Sequence, residues 1–205
     1  MREVTAILIQ SSNIDRANLY LDGEFCCGIS RIVLATNNIK VGSMLSDSDL
    51  QELIFESEKD KAWNWALSYI SRYTPTAKGL KSKLYDKGYN KPIVEYCLSK
   101  AIEYGYINDL EWARCYVEYN KVVKGISRIR NDLIAKGISK DIIAQVLQDL
   151  DDDGGDAIYE VARKHAKGND LDDPKYVARL ARFLHARGFL SDEIFSVIDR
   201  LKAER

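Results

Sequence analysis

Few of the side chains that could carry out chemistry stand at spacings that would let them act together. The two histidines, His165 and His185, have no acid or cysteine at ligand spacing, which favours structural or surface roles. The four cysteines form no C-x-x-C pair and no Cys/His cluster at zinc spacing. Phosphate-binding, dinucleotide-binding, nucleophile-elbow and zinc-peptidase motifs are also missing. We therefore expect no catalytic residues, no metal site and no cofactor.

One acidic run leaves two interpretations open. Asp151, Asp152 and Asp153 precede a Gly-Gly pair, and clustered carboxylates can hold a cation. The loop of an EF-hand, however, alternates its ligands and ends in a distant glutamate, whereas this run is contiguous. A solvated loop followed by a helix start is the favoured interpretation, and a cation site is the alternative.

Composition and charge narrow the class of protein. The chain has 205 residues, of which 46% are hydrophobic and 30% charged, a balance that excludes a disordered tail and a membrane protein. Its first apolar run, residues 4–9, is too short for a signal peptide or a membrane span, and the cysteine pattern fits a reducing cytosol. The net charge is −1, so the whole molecule cannot hold a polyanion non-specifically. We expect a cytoplasmic protein whose contacts with any nucleic acid are local.

The first sixty residues predict a small β structure. Residues 4–10 are β-prone, and Asp22-Gly23 separates two further β-prone runs. This dipeptide favours a hairpin, because a type I′ turn needs positive φ at both central residues. A short helix-like run, residues 31–35, follows, and Ser46 to Asp49 resembles the start of a helix.

The rest of the chain contains three internal repeats, each anchored on a glycine. The segments around Gly88, Gly137 and Gly188 align without gaps, and their apolar residues recur at the spacing of one buried helical face on each side of the glycine. Each repeat is therefore predicted to contain a helix, a glycine turn and a second helix. The matching apolar positions are Leu80, Ile129 and Leu180; Leu84, Leu133 and Leu184; Tyr89, Ile138 and Phe189; Val94, Ile143 and Ile194; Cys97, Val146 and Val197; Leu98, Leu147 and Ile198; and Ala101, Leu150 and Leu201.

A further helix precedes each pair and completes a three-helix unit. It is marked by an apolar-alanine pair ending at Ala66, Ala113 and Ala162. Units of about fifty residues bury little apolar area alone, so they are expected to stack. The predicted fold is mainly α, with three tandem three-helix repeats in an elongated, curved array and a small N-terminal extension that contains a β-hairpin. The predicted boundaries are 1–58 for the extension and 59–107, 108–152 and 153–205 for the repeats.

Basic residues concentrate on the helix that leads into each glycine. Nine of them are candidates for contact with a partner: Lys78, Lys81, Lys83, Lys124, Arg128, Arg130, Lys175, Arg179 and Arg182. The alternative is an ordinary solvated helix face. Lys87, Lys136 and Arg187 are left out of this set, because a cation at the C-terminus of a helix complements its dipole and the following glycine ends the helix.

Tyrosines are numerous in the first repeat, where seven lie between residues 69 and 106. Aromatic residues interleaved with lysines can stack on nucleic-acid bases. Their helical spacing instead favours core packing with a polar tip for most of them.

The second repeat resembles the central repeat of the bacterial regulatory protein RecX family. The resemblance lies in residues 108–117 (NDLEWARCYV), 124–129 (KGISRI) and 133–138 (LIAKGI), and extends to residues 105–109 (GYIND) and 183–189 (FLHARGF). It covers roughly residues 60–205, and the β-rich head is similar to the N-terminal extension of Gram-positive members. Two features depart from the family pattern. Lys78-Gly79-Leu80 replaces a basic-acidic-leucine triplet, and the third repeat has an acidic corner at residues 168–174.

The resemblance implies a function. RecX-like proteins consist of three tandem three-helix units that bind RecA directly and modulate its recombinase and coprotease activities, usually by inhibition. The resemblance implies a RecA-binding regulator that lies in the groove of the RecA filament. From the sequence we also expect a monomer that is not an enzyme and does not contact membranes. Phosphates of single-stranded DNA are a second candidate partner of the basic residues, and which of these residues would contact RecA and which DNA stays open. The alternative is a helical DNA-binding module that acts without RecA, suggested by the basic helices of the first two repeats.

Overall fold

A computed structural model describes residues 1–148 and 154–204. The acidic run at residues 151–153 and the apolar position Leu150 lie outside the described residues. The chain divides into two compact units. The first unit comprises Met1–Pro75 and Leu80–Tyr106, and the second comprises Thr76–Gly79 and Ile107–Arg205.

The N-terminal residues form an antiparallel sheet, as the sequence predicts. Its strands are β1 (Arg2–Gln10), β2 (Asn13–Leu21), β3 (Glu24–Ser30) and β4 (Met44–Leu45), in the order β3-β2-β1-β4. The Asp22-Gly23 turn joins β2 to β3 with φ of 52° and 87°, the positive values that such a turn requires. The hairpin prediction is confirmed.

Two helices cover one face of this sheet. Helix α1 (Arg31–Thr36) confirms the short helical run, and α2 (Asp47–Tyr73) begins with a capping box between Ser46 and Asp49. The core beneath them combines strand residues such as Val4 and Leu19 with Leu50 and Leu53 of α2. Since α2 continues unbroken past residue 58, the first helix of the first repeat also covers the sheet. The boundaries drawn from the sequence remain predictions.

The remaining described helices follow the repeat pattern. They are α3 (Ala77–Asp86), α4 (Lys91–Glu103), α5 (Asp109–Asn120), α6 (Ile126–Ala135), α7 (Lys140–Gln148), α8 (Gly154–Ala166), α9 (Pro174–Ala186) and α10 (Ser191–Ala203). The residues between α8 and α9 form the predicted non-helical corner. The mainly helical fold with a small N-terminal strand region is confirmed.

The matched apolar positions form the cores of the helical units. Leu84, Leu133 and Leu184, each four residues before a glycine, are completely buried. The matched alanines of the first helices, Ala66, Ala113 and Ala162, are completely buried as well. Gly88, Gly137 and Gly188 have φ of 87°, 84° and 88°, so each ends its helix in the left-handed conformation. Each buried helical face therefore continues across a sharp turn into the next helix.

Among the described helices, none combines the length with the apolar character that crossing a bilayer requires.

Candidate partner-binding residues

Asp132 brings two of the candidate cations together on the second repeat. Lys124 Nζ lies 2.9 Å from Asp132 Oδ2, and Arg128 Nε lies 3.3 Å from Asp132 Oδ1. The hydroxyl of Tyr116 donates to the same carboxylate over 2.8 Å. Lys124 also donates to that hydroxyl and lies over the Tyr116 ring. Lys124 and Arg128 therefore share one carboxylate partner.

This cluster shifts the pKa values of its members. Burial by itself would raise the pKa of Asp132, but hydrogen bonds from Lys124 and Tyr116, together with the charges of Lys124 and Arg128, outweigh it and leave the pKa below its usual value. The pKa of Lys124 is raised, first by its hydrogen bond to Tyr116 and then by the one to Asp132. Both groups are therefore charged at neutral pH, and Lys124 is held in place by internal contacts.

The start of α6 contacts the glycine turn that ends α9. The Gly125 N–H donates to the carbonyl of Arg187 over 2.9 Å. A Cβ at Gly125 would collide with the carbonyl of Gly188, and a Cβ at Gly188 would collide with the backbone of Arg128. Gly125 therefore permits a close approach of two backbones, and Arg128 lies at this joint.

A similar joint is formed by Thr76 and Lys78. The Thr76 hydroxyl donates to the carbonyl of Lys136 over 2.9 Å, and Lys78 Nζ donates to the carbonyl of Ala135 over 3.0 Å. The Lys78 side chain occupies the space that a Cβ at Gly137 would need. The Thr76 oxygen also accepts from the N–H of Gly79, so the helix starts properly despite its departure from the family triplet. Lys78 therefore caps the end of α6.

The other candidates differ in whether their side chains already form contacts within the protein. Lys83 pairs with Asp86 at 2.8 Å, the Arg179 guanidinium lies 4.9 Å from the centre of the Tyr176 ring, and Arg182 Nε donates to the carbonyl of Ala178. A second group is exposed and, within the described residues, forms no ion pair and no side-chain hydrogen bond: Lys81, Arg130 and Lys175. This second group is available for a partner without breaking an internal contact.

Two features escaped the sequence reasoning. Asp132 was not singled out, although an acid four residues after Arg128 is the signal for a helical ion pair. The expectation that most tyrosines of the first repeat pack in the core is wrong. Four of them are exposed: Tyr73, Tyr85, Tyr104 and Tyr106. Tyr73 is the last residue of α2, Tyr85 lies off the buried stripe of α3, and the other two follow the end of α4.

Groups that could hold a metal are not found in the part of the chain that the structure describes. The four cysteines are free thiols, and burial raises the pKa of Cys97 to about 11. His165 packs against Tyr176 and Phe183, whereas His185 is exposed.

Two family models match this chain. The model described as the regulatory protein RecX N-terminal domain matches residues 2–46, and the model of the third three-helix domain of RecX matches residues 151–198. These segments contain the sheet and most of the last helical repeat.

Similar curated proteins cover nearly the whole chain, and two solved structures cover 97% and 71% of it. The regulatory protein RecX of Clostridium tetani is 30% identical over 98% of this chain and 95% of its own, and that of Bacillus subtilis is 28% identical over 98% and 78%. A crystal structure of regulatory protein RecX aligns with a TM-score of 0.63 at 22% identity, covering 97% of this chain and all of the other. RecX from Lactobacillus salivarius aligns with a TM-score of 0.64 at 26% identity, over 71% of this chain and 97% of its own. Sequence and fold together show that the chain belongs to the RecX family of regulatory proteins.

Proposed function

We propose that this protein binds RecA directly and modulates its recombinase, ATPase and coprotease activities, chiefly by inhibition, while lying in the groove of the RecA–DNA filament. The observation that carries the proposal is the 30% identity to a RecX protein over 98% of this chain. The proposal includes a cytoplasmic monomer and action by binding alone, without catalysis.

Charge complementarity gives the proposal a physical basis. Complementary charge steers association and selects the correct partner, so the proposal predicts an acidic surface on the filament opposite these cations. The proposed contacts remain the nine candidates. Lys81, Arg130 and Lys175 are expected to contribute most to binding, since they are exposed and have no internal ion pair among the described residues. Lys78 and Lys124 are expected to act mainly through the fold.

The direct test is binding to RecA filaments assembled on single-stranded DNA. Co-sedimentation with the filaments measures binding, and RecA ATPase and strand exchange measure the effect. We expect the protein to sediment with the filaments and to lower both activities. No binding and no change in either activity would contradict the proposal.

A matched pair of triple variants tests which cations make the contact. Lys81→Glu, Arg130→Glu and Lys175→Glu together should weaken co-sedimentation and relieve the inhibition. The control, Lys61→Glu, Lys140→Glu and Lys202→Glu, makes the same change in charge at exposed residues of other helices. If both triple variants lose binding equally, net charge and not the candidate set determines the interaction.

A second candidate function is a helical DNA-binding module that acts without RecA. Residues 61–107 carry 8 basic and 3 acidic residues, a local excess that favours phosphate contacts. Affinity for single-stranded and duplex DNA, measured against salt in the absence of RecA, tests it. Affinity that does not change with salt would argue against phosphate contacts.

A further inference from the structure

A ladder of three aromatic rings lies along one face of α2 in the first unit. The rings of Trp65 and Tyr69 are stacked, with centroids 5.4 Å apart and an interplanar angle of 10°. Tyr69 and Tyr73 follow at 4.9 Å and 38°. The three residues are spaced four apart, so each ring lies over the next turn of the helix.

The last ring of this ladder is open. Tyr73 is 65% exposed, and α2 ends at this residue, with Thr74 in the left-handed conformation. The helix therefore supplies no fourth ring, and one more planar group can stack at the end of the ladder. An exposed aromatic face of this kind favours a planar partner, because stacking removes both apolar surfaces from water.

In the second repeat, the equivalent ladder consists of two rings and has no third. Trp112 and Tyr116 stack in almost the same way, at 5.2 Å and 14°. The next position is Asn120, which is buried and donates to the carbonyl of Tyr116. The cation over that ring, Lys124, is paired with Asp132. In the second repeat, a buried asparagine thus takes the place of a third ring, and the lysine beside the rings is paired with a carboxylate.

The cleft beside the three rings in the first unit is cationic. Its volume is about 420 Å³, and Arg72, Lys83 and Lys87 line it together with Ser68 and the three rings. Lys87 Nζ lies 5.6 Å from the centre of the Trp65 ring, and within the described residues it forms no ion pair. Lys83 is paired with the carboxylate of Asp86, a residue that does not line the cleft. An aromatic wall with a cationic rim matches a planar base that carries a phosphate.

We infer that this cleft binds single-stranded DNA, with one base stacked on Tyr73 at the end of the Trp65–Tyr69–Tyr73 ladder and the adjacent phosphates near Arg72 and Lys87. A duplex does not fit this description, because its base faces are covered by their neighbours within the helix. The inference goes beyond the proposed action on RecA, since it concerns a direct contact with a base in one cleft of the first unit.

The test measures binding of a fluorescein-labelled 15-nucleotide oligodeoxythymidylate by fluorescence anisotropy, without RecA. Tyr73→Ala should weaken binding by about fivefold or more, as expected for the loss of one base–aromatic stack. Tyr73→Trp should retain the wild-type affinity. Tyr119→Ala is the matched control, because Tyr119 is 83% exposed on α5 and lies outside the cleft, and it should bind like the wild type.

Salt dependence separates the two parts of the site. Lys87→Gln should reduce the slope of log affinity against log salt by about 0.7, the value for one phosphate contact on a single strand. Tyr73→Ala should leave that slope unchanged. Circular dichroism of each variant establishes that the helical content is the same as in the wild type.

Several results would overturn the inference. These are an unlabelled duplex of the same length competing as well as the single strand, equal affinity of Tyr73→Ala and Tyr119→Ala, or no binding of the oligonucleotide by the wild type. Inhibition of RecA by a protein that fails this assay would still support the proposed function. Oligonucleotide binding without any effect on RecA would support the cleft alone.

Discussion

At the scale of single residues, Asp132 is the centre of a cluster of polar side chains in the second repeat. Its carboxylate accepts from Tyr116 and Lys124 and pairs with Arg128, and only 22% of its side chain is exposed. Removing the carboxylate leaves the partly buried charge of Lys124 without its carboxylate partner. This lowers the free energy of unfolding more than the loss of an exposed ion pair does. The cluster therefore fixes where two of the candidate cations point.

Asp132→Asn should lower the free energy of unfolding by about 1–3 kcal/mol at pH 7, because charged Lys124 loses its carboxylate partner. The pKa of Asp132 is lowered in the folded protein, so its contribution is complete above the unfolded pKa of about 4 and is lost as the pH falls through the folded value. The difference between wild type and variant should therefore shrink below about pH 4. Urea unfolding at several pH values measures it.

Asp86→Asn is the control for this experiment. It removes an exposed pair with Lys83 on α3, and a surface pair of this kind is screened by solvent. Equal effects of the two substitutions, or a difference that persists unchanged at low pH, would contradict the role given to Asp132.

Leu133→Ala tests the predicted buried face of α6. Leu133 is completely buried beside Ile129 and Val117, so the substitution should cost about 2–5 kcal/mol of unfolding free energy. Ile134→Ala, at a neighbouring side chain that is 53% exposed, should cost far less. Denaturant titration compares the two, and a larger loss at Ile134 would mean that the face is assigned the wrong way round.

At the scale of elements, the glycines that end helices are needed for two different reasons. Gly88 and Gly188 end their helices with almost identical φ, 87° and 88°. Space around them differs, since a Cβ at Gly88 would meet nothing within 4 Å whereas a Cβ at Gly188 would collide with the backbone of Arg128. The first glycine is needed for its conformation alone, and the second also for a close approach between helices.

This difference predicts unequal effects of the same substitution. Gly88→Ala should cost about 1–2 kcal/mol, the strain of a left-handed residue that carries a Cβ. Gly188→Ala should cost clearly more, because the start of α6 must also move away from the turn. Thermal unfolding of both variants measures this, and equal losses would show that the joint with α6 adds nothing.

At the scale of the whole molecule, the strand region and the first repeat share one helix. Leu50 and Leu53 of α2 complete the core under the sheet, while Phe55 of the same helix packs edge-on against Tyr96 of α4 at 5.6 Å. The first compact unit accordingly contains both the sheet and α4. A deletion intended to remove only the N-terminal extension must therefore leave α2 intact.

Removal of residues 1–60 should unfold most of the first unit, since it cuts α2 in the middle and removes Phe55, which packs against Tyr96 of α4. Removal of residues 1–46 should retain α2 and α4, with a lower melting temperature because Leu50 and Leu53 lose their cover. Far-ultraviolet circular dichroism and thermal melts compare the two. If the shorter remnant keeps the helical content per residue of the longer one, α2 is not the shared element that its contacts indicate.

The sequence by itself determined the elements and the repeat. Periodic apolar residues and the glycines at the ends of helices act locally, so Leu84, Leu133 and Leu184 could be assigned to the core and Gly88, Gly137 and Gly188 to left-handed turns. The Asp22-Gly23 turn and the Ser46 cap were predictable for the same reason, because their physics spans only a few residues.

Only the tertiary structure decided which charged and aromatic side chains are engaged. Lys78 and Lys81 look equivalent in the sequence, yet Lys78 caps the end of α6 and Lys81 is exposed, because a contact 57 residues away along the chain distinguishes them. The exposure of Tyr73 likewise depends on where α2 ends and on which helices pack around it. Contacts between residues far apart in the chain leave no local pattern, so burial and ion pairing at these positions follow from packing and not from spacing.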